Sequence, residues 1–214
     1  MLKRSSTREQ ITQILMDRIL DGTYKPGERL VELTIANELK TSQAPVREAF
    51  RYLEAMRVIE SEPYKGTRVR SITDKELADS SMIRASLEEL AARLACENLK
   101  NKPDTSLIQK LESEAGDFMQ AAREKDFKTY SSHDIEFHRL IVEASDNQLL
   151  LSIWESVVLE SRFRLTLNKI GSHKLCTFGE AHLPVIKAIK QFDGDEAGRL
   201  LKQLILKFHF IDRD

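Results

Sequence analysis

The chain has 214 residues, of which 41% are hydrophobic and 31% charged, and its formal net charge at pH 7 is −1. This length allows one large or two modest domains, and this composition is typical of a soluble globular protein. No apolar run approaches the roughly 18–20 residues of a membrane span, and the first residues lack the apolar core of a signal peptide. We therefore expect a cytoplasmic protein without a membrane partner.

The charge is unevenly distributed along the chain. Residues 1–72 hold 13 Lys and Arg against 10 Asp and Glu, a net charge of +3, and the remaining residues carry −4. Because attraction to a phosphate backbone is set by local basic groups, this distribution fits a small nucleic-acid-binding head on an acidic body. The two cysteines, Cys96 and Cys176, lack the spacing of a metal or redox motif, and the helical pattern around Cys96 predicts a core position.

Two short helices are predicted at the start of the chain. Residues 7–20 carry a helical apolar stripe, and the Gly and Pro residues of 21–27 end that helix and turn the chain. Residues 31–39 form a second, shorter helix, and a tight connection at 40–42 leads into a third.

The third predicted helix begins after Ser42, whose hydroxyl can accept a hydrogen bond from an otherwise unpaired backbone N–H. Pro45 falls in the first turn, where its missing N–H costs nothing. One face is apolar, with Val46, Ala49, Phe50 and Leu53. A different, solvent-directed face carries Gln43, Arg47 and Arg51, and such amide and guanidinium groups can recognise base edges in the DNA major groove.

A two-stranded ribbon follows, with strands at 58–62 and 67–72 joined by a turn at 63–66. Helix and basic ribbon together predict a winged helix-turn-helix. In this arrangement Gln43, Ala44 and Arg47 recognise base edges, and phosphates are held by Ser42, Lys65, Arg68 and Arg70. The predicted DNA interface also includes Arg51, Tyr64 and Gly66.

The rest of the chain is predicted to be entirely helical. A T-x-x-E capping box at Thr73 and Glu76 marks a new start, so the domain boundary is placed after residue 72. Six further helices are predicted, at 75–98, 105–124, 127–145, 148–170, 179–192 and 195–211. The fold class is therefore mainly α, with a winged helix-turn-helix over residues 1–72 and an antiparallel all-α bundle over residues 73–214.

Residues 30–60, LVELTIANELKTSQAPVREAFRYLEAMRVIE, followed by YKGTRV, resemble the winged head of the GntR family of bacterial transcription regulators, and PVREA at 45–49 is the most specific piece. The bundle resembles the FCD effector domain of the family's FadR-type branch, in its six-helix version. That likeness is carried by Arg84 with LEELAARLA, by Asp134 and His138 followed by Asn147, and by Ala181–His182 with Ile186, Ala188 and Ile189.

The resemblance implies a homodimeric DNA-binding regulator that is not an enzyme. A small metabolite, often a carboxylate, binds in the bundle of such proteins and alters their affinity for operator DNA, and many members also hold a divalent metal. The head departs from the family pattern at Gln43, where members usually have Arg, and at Leu33, where they often have a basic residue. Gln prefers adenine edges and Arg prefers guanine, so the family's consensus operator does not transfer directly to this chain.

A possible metal site centres on Asp134 and His138, which are spaced i, i+4 and point the same way from an otherwise apolar helix face. Metal or ligand binding and a simple ion pair at the bundle edge are both compatible with this spacing. The resemblance implies His182 as a third ligand, although a helix-start histidine beside a capping box at 177–180 is an alternative. The fourth family position is Leu204, which cannot bind a metal. We therefore hypothesise that a site for Zn, Ni or Mn is weakened or absent.

Several residues are candidates for binding the effector. A partly buried Arg84 would clamp a carboxylate, and its alternative is an i, i+4 ion pair with Glu88. The further candidates are Asp134, His138, Asn147, Arg162, Arg164 and His182. Trp154 is expected in the core, and His133 and His173, which have no partner pattern, are expected at the surface.

Two other functions remain open at this point. One is a metal-dependent hydrolase built on the helical bundle, with Asp134, His138 and His182 as ligands. The other is a helical module whose winged head docks a protein instead of DNA. An operator-binding regulator with a metabolite effector is the leading hypothesis, because it accounts for both halves of the chain.

Overall fold

The computed structural model describes residues 6–102, 105–166 and 172–210. The chain divides into two compact units, Met1–Thr73 and Asp74–Asp214, which are called the head and the body below. None of the described helices combines the length and the apolar content that crossing a membrane requires.

The head contains three helices and a small antiparallel sheet. The helices are α1 (Thr7–Leu20), α2 (Glu32–Glu38) and α3 (Gln43–Ala55), and the strands are β1 (Arg29–Leu30), β2 (Ile59–Glu62) and β3 (Gly66–Val69). The sheet has the order β1-β3-β2, with Arg29 opposite Arg68 and Glu60 opposite Arg68 on the other side. The winged helix-turn-helix prediction is confirmed. Strand β1 escaped prediction because two residues are too few to show an alternating pattern.

The head is held together by the apolar faces of α1 and α3. Ile11, Leu15 and Ile19 of α1 are buried, as are Val46 and Leu53 of α3. The start of α1 is fixed by a capping box, in which Ser6 accepts from the Glu9 backbone and the Glu9 side chain accepts from Ser6. These contacts leave the opposite face of α3 directed to solvent.

The wing turns sharply between β2 and β3. Tyr64 and Gly66 have φ of 65° and 83°, in the left-handed region that glycine adopts without strain. A Cβ at Gly66 would also lie 3.2 Å from Arg29 Nε. Glycine at this position therefore serves both the turn and the close approach of β1.

The body is all-helical within its described residues. Its helices are α4 (Asp74–Asn101), α5 (Thr105–Glu124), α6 (Phe127–Ala144), α7 (Gln148–Thr166), α8 (Ser172–Glu180), α9 (Leu183–Lys190) and α10 (Gly194–Phe210). The predicted number of six was wrong, because α8 forms mainly from residues that were left between the helices predicted at 148–170 and 179–192. The helix expected at 179–192 corresponds to α9, and a turn at Ala181 and His182 separates it from α8. Residues 177–180, expected to form a capping box, lie inside α8. Helix α8 has only nine residues, too few for its apolar residues to show a clear helical period in the sequence.

Helix α4 packs against α10, α6 and α7 and forms the centre of the body. Its small residues allow close approach: Ala85, Ala91, Ala92 and Ala95 are all fully buried. On the facing helix α10, a Cβ at Gly198 would lie only 2.7 Å from the Glu89 carbonyl oxygen, so a larger residue there would push the two helices apart. This tight packing encloses a group of polar side chains in the body.

Candidate functional sites

The exposed face of α3 has the composition predicted for a DNA-reading helix. Gln43, Arg47 and Arg51 are exposed, whereas the apolar residues of the opposite face are buried. Ser42 occupies the N-cap position in an extended conformation, but its hydroxyl makes no capping hydrogen bond, contrary to prediction. The hydroxyl of Ser42 and the first N–H groups of α3 thus remain available at the surface.

The two arginines on the exposed face of α3 form ion pairs with glutamates of the head. Arg47 makes a two-point contact with Glu32 of α2: Nη2 donates to Oε2 at 2.8 Å, and Nε lies 3.1 and 3.2 Å from the two carboxylate oxygens. Arg51 makes a single 2.9 Å contact with Glu48, one turn away on α3.

The basic residues of the wing are also ion-paired with glutamates of the wing. Arg68 Nε donates to Glu60 at 2.8 Å and its Nη2 contacts Glu62, while Lys65 lies 2.6 Å from Glu62. Tyr64 at the wing tip is fully exposed. A phosphate contact made by Lys65 or Arg68 would therefore compete with a carboxylate partner in the wing.

Arg70 corrects one sequence prediction. Its side chain is only 8% exposed, and Nη1 lies 3.5 Å from the Arg57 carbonyl oxygen. Strand β3 ends at Val69, one residue before Arg70, whereas the predicted strand continued to residue 72. The guanidinium is turned into the head, so Arg70 is not an exposed phosphate contact.

The body brings together the three residues expected to bind a metal or ligand. Asp134 and His138 project from one face of α6, and His182 lies in the turn between α8 and α9. His182 Nε2 is 3.3 Å from Asp134 Oδ1 and 3.4 Å from His138 Nε2. All three side chains are buried, and their ligand atoms lie within 4.8 Å of one another. We call these three residues the triad.

Hydrogen bonds to the Nδ1 atoms of His138 and His182 determine the tautomer of each imidazole ring. His138 Nδ1 faces Glu88 Oε2, and His182 Nδ1 lies 2.9 Å from the Phe178 carbonyl oxygen. Both acceptors require the Nδ1 atoms to carry the hydrogen, which leaves the Nε2 atoms of the neutral rings with lone pairs. Two lone pairs and a carboxylate then converge on one point, an arrangement that a divalent cation or shared protons would satisfy.

Two positions on α10 bear on the number of metal ligands that the triad offers. Leu204, the fourth family position, is a buried core residue at 7% exposure. The side chain of His209, five residues further along α10, lies outside the described residues. Within the part of the chain that the structure describes, the triad therefore offers three protein ligands.

Glu88 is the functional residue that sequence reasoning did not select. Its carboxylate is fully buried and accepts hydrogen bonds from Arg84 Nε and Trp154 Nε1, each at 2.6 Å, as well as meeting His138. Burial opposes its charge, but Arg84, His138 and the Trp154 hydrogen bond lower the pKa of Glu88 to about 2. Its i, i+4 spacing from Arg84 was visible in the sequence, whereas its contacts with α6 and α7 were not.

Asp134 is also held in its charged form. Burial acts to raise the pKa of Asp134, but the hydrogen bond with His182 and the nearby His138 and Arg84 lower it overall. The interior of the body thus contains two buried carboxylates that face one arginine and two imidazoles.

Arg84 forms the i, i+4 ion pair with Glu88 that was one of the two alternatives considered from the sequence. Its Nε forms the buried ion pair with Glu88, while its Nη2 is buried without a hydrogen-bond partner. The Tyr130 hydroxyl, one turn before Asp134 on α6, is likewise buried and unpartnered, and burial raises its pKa. Unpaired buried donors are costly, and a ligand oxygen would satisfy them.

Of the other residues predicted to contact the effector, only Asn147 has a described side chain. Asn147 caps α7, since its Oδ1 accepts from Leu150 N at 3.0 Å, and that oxygen is therefore occupied. The side chains of Arg162, Arg164 and His173 lie outside the described residues. A cleft of about 660 Å³ occurs near the ends of α4 and α6 and the start of α5, and no triad residue lines it.

His133 has a partner that the sequence did not reveal. Its Nδ1 lies 2.7 Å from Glu114 Oε2 and 3.9 Å from Asp117 Oδ2, both on α5. The side chain is only 34% exposed. The sequence showed no partner pattern for His133 because the pairing joins two helices.

A winged helix-turn-helix followed by a helical body with a buried Asp-His-His triad is the architecture of a two-domain bacterial transcription regulator. Residues 7–69 match the family described as bacterial regulatory proteins, gntR family, and residues 79–207 match the FCD domain. The chain therefore belongs to the GntR family, in the group that carries an FCD domain, and the resemblance drawn from its motifs is confirmed.

Two curated relatives that the chain resembles are described as transcriptional repressors. The chain is 32% identical over 200 residues to a probable D-xylose utilization operon transcriptional repressor of Paenarthrobacter nicotinovorans, covering 94% of this chain and 86% of that protein. It is 30% identical over 200 residues to the gluconate operon transcriptional repressor of Bacillus licheniformis, covering 91% and 80%.

Solved structures share the fold. E. coli McbR/YncC superposes with a TM-score of 0.85 at 23% identity over 98% of both chains. A putative transcriptional regulator GntR from Rhodococcus sp. RHA1 superposes with a TM-score of 0.82 at 22% identity, over 97% of this chain and 98% of that one.

Proposed function

We propose that this GntR-family regulator binds a specific DNA operator through its head, and that a small carboxylate metabolite bound in its body changes its affinity for that operator. The observation that carries the metabolite half of the proposal is the buried, unpartnered Nη2 of Arg84. Glu88 links Arg84 to the triad through His138, so the free donor and the triad belong to one connected group.

The DNA half of the proposal rests on the exposed face of α3 and on the wing. Gln43, Ala44 and Arg47 would contact base edges in the major groove. Phosphates would be contacted by Ser42, Arg51, Tyr64, Lys65, the Gly66 backbone and Arg68. DNA binding also supports the expected location in the bacterial cytoplasm.

The proposal includes a homodimer that reads a pseudo-palindromic operator with its two heads. Helices α4 and α7 are joined by a hydrogen bond from Ser80 Oγ to the Val157 carbonyl oxygen, 3.3 Å long. Both helices carry large apolar side chains that remain exposed, namely Met82, Ile83, Leu90, Leu149 and Ile153. Burial of these side chains against a second copy of the chain would support dimer formation.

The triad is suited to a divalent cation such as Zn, Ni or Mn. Asp134, His138 and His182 would hold the ion, with the remaining positions left to water or to the effector. The metal would supply positive charge for a bound carboxylate. With Leu204 in place of a fourth ligand, we propose weak binding, and an Arg84 Nη2 donor that contacts the effector carboxylate directly.

The name of one relative is compatible with an effector of this kind. One similar repressor controls a gluconate operon, and gluconate is a carboxylate. A ligand that distinguishes two arrangements of the heads would alter operator affinity by a coupling free energy of typically about 1–3 kcal/mol.

The alternative functions gain less support. For a metal-dependent hydrolase, the triad would need a nearby general base, but Glu88 is committed to Arg84, Trp154 and His138. Turnover of a panel of esters or phosphoesters by the purified protein would favour the hydrolase.

The other alternative is a head that docks a protein. Such a head would lack the salt-dependent binding to random duplex DNA that a DNA-binding head must show.

The proposal is tested with a duplex selected by the protein from a randomised library. Arg47→Ala should strongly lower the preference for that duplex and leave helicity and the dimer intact. Arg199→Ala is the matched control, because Arg199 is an exposed, ion-paired arginine of the body. Retention of the preference by Arg47→Ala would refute the assigned role of Arg47, and failure of the wild type to select any sequence would refute the DNA half of the proposal.

A further inference from the structure

We propose that Glu32 is a positioning residue for DNA recognition, whose carboxylate orients the guanidinium of Arg47 so that its Nη1–Nη2 edge faces the base pairs. The inference rests on the proposed DNA-binding function and deepens it. It assigns a role in base discrimination to an acidic residue that would itself repel DNA.

The geometry of the pair determines which edge of the guanidinium is free. Glu32 engages Nε and Nη2, the side edge of Arg47, at 2.8 to 3.2 Å. Both hydrogens of Nη1 and the second hydrogen of Nη2 are left over. One hydrogen of Nη1 and the second hydrogen of Nη2 point the same way and form a pair of parallel donors, the pattern that matches O6 and N7 of a guanine in the major groove.

The Arg47–Glu32 pair differs from the Arg51–Glu48 pair beside it on the same face of the head. Glu32 opens α2, whereas Arg47 lies on α3, so the contact ties the reading side chain to a second helix. In the Arg51–Glu48 pair a single contact joins neighbours on one helix, with side chains 69% and 53% exposed. A one-point contact between two exposed side chains leaves the guanidinium free to rotate, and a two-point contact does not.

Fixing Arg47 before DNA arrives favours discrimination between bases. The Arg47 side chain is 54% exposed and has several rotatable bonds, so an unrestrained guanidinium could follow any nearby phosphate. A guanidinium held in place loses less conformational entropy when it meets the correct base. The charge of Glu32 is neutralised by Arg47, which limits its repulsion of the DNA backbone.

The opposite role for Glu32 is that of a competitor, which occupies Arg47 and must be expelled before DNA binds. The two roles predict opposite changes in specificity. Removal of a competitor strengthens binding to the selected duplex. Removal of a positioning residue weakens the discrimination between the selected duplex and a scrambled one, even where general affinity rises.

The test compares Glu32→Gln with Glu48→Gln, because each removes one carboxylate beside the same DNA face and only the first releases Arg47. Dissociation constants are measured for the duplex selected by the wild type and for a scrambled duplex at one salt concentration. We expect Glu32→Gln to lower the ratio of specific to non-specific affinity by about tenfold, the scale of one bidentate base contact. Glu48→Gln should leave the ratio unchanged.

Two further measurements tie the effect to Arg47. The loss in Glu32→Gln should be confined to the base pair at which Arg47→Ala also loses discrimination, and Glu32→Gln combined with Arg47→Ala should be no less specific than Arg47→Ala alone. A ratio that stays the same or rises in Glu32→Gln would overturn the inference while leaving DNA binding in place. Absence of sequence preference in the wild type would instead defeat the proposed function.

Discussion

The indole Nε1 of Trp154 donates a 2.6 Å hydrogen bond to Glu88 Oε1 and so joins α7 to α4 inside the body. The same carboxylate meets Arg84 on its own helix and His138 on α6. Glu88 therefore links three helices, the triad and the unpartnered arginine nitrogen. A buried charge with several donors is stabilising only as a complete set, because loss of one member leaves the others unpaired.

Glu88→Gln should destabilise the body strongly. The amide nitrogen of Gln would face a donor where Glu88 accepts, and the charge of Arg84 would lose its buried counter-ion. We expect the free energy of unfolding to fall by about 3–5 kcal/mol in urea titrations, the usual cost of breaking a buried ion pair. Glu97→Gln, on an exposed position of the same helix, is the control. A loss below about 1 kcal/mol, the scale of a surface pair, would contradict the assignment.

The destabilisation should depend on pH in a defined direction. Folding lowers the pKa of Glu88 from its usual 4.5 to about 2, since Arg84, His138 and Trp154 outweigh burial. The stability that its charge contributes is thus fully present above pH 4.5 and is lost as the pH falls toward 2. The difference between wild type and Glu88→Gln should shrink over that interval in unfolding titrations. A difference that is constant with pH would show that the charge of Glu88 is not involved.

Local patterns in the sequence predicted the recognition helix and one pair of triad residues. The spacing of Val46 and Leu53 fixes the buried face of α3, and therefore places Arg47 on the exposed one. The i, i+4 spacing of Asp134 and His138 is equally local. His182 was found only through resemblance to a family, because its approach to the triad depends on the packing of α8 and α9.

Contacts between elements were the part that the sequence could not supply. Glu32 and Arg47 are 15 residues apart, and Glu88 and Trp154 are 66 apart, so no helical or strand period relates them. Arg70 was predicted to hold a phosphate because it lies with Arg68 on the predicted strand, but the strand ends at Val69 and the Arg70 side chain is buried. Each miss concerns a polar side chain whose partner is fixed by tertiary packing.

Divalent metal should bind weakly and change the fluorescence of Trp154. Trp154 is the single tryptophan of the chain, and its partner Glu88 contacts His138, so an ion at the triad lies close to the indole's hydrogen-bond network. Titration with Zn²⁺ or Ni²⁺ should shift the emission, and a chelator should reverse it. His138→Ala should abolish the response.

The second cluster of possible ligands provides the control for this titration. Glu114, Asp117 and His133 also bring their ligand atoms within 4.8 Å of one another. His133→Ala should leave the fluorescence response intact. A response that is lost in His133→Ala and kept in His138→Ala would place the metal at the cluster of Glu114, Asp117 and His133, which contradicts the proposed site. Tight binding of one ion per chain would contradict the proposed weak affinity.

The two cysteines should differ in reactivity. Cys96 is buried, and burial together with the nearby Asp193 raises its pKa to about 11, so it remains a thiol at neutral pH. Cys176 is exposed. A thiol reagent should therefore modify one cysteine per native chain and both after unfolding, because the thiolate is the reactive form. Cys176→Ser should remove the fast reaction, and rapid modification of Cys96 would indicate that the α4–α10 interface opens readily.

Leu204→His should strengthen metal binding at the triad. Leu204 occupies the fourth ligand position implied by the family resemblance and is buried in α10. Loss of an outer partner of a ligand typically costs about 10–100-fold in metal affinity, and we expect an added direct ligand to raise the affinity by at least as much. Leu206→His is the control, since it lies about 200° further around the same helix. Zn²⁺ competition titrations would measure the change. Equal affinities in Leu204→His and the wild type would show that position 204 does not face the triad, whereas a gain confined to Leu204→His would identify the substituted ligand as the reason for the weakness of the site.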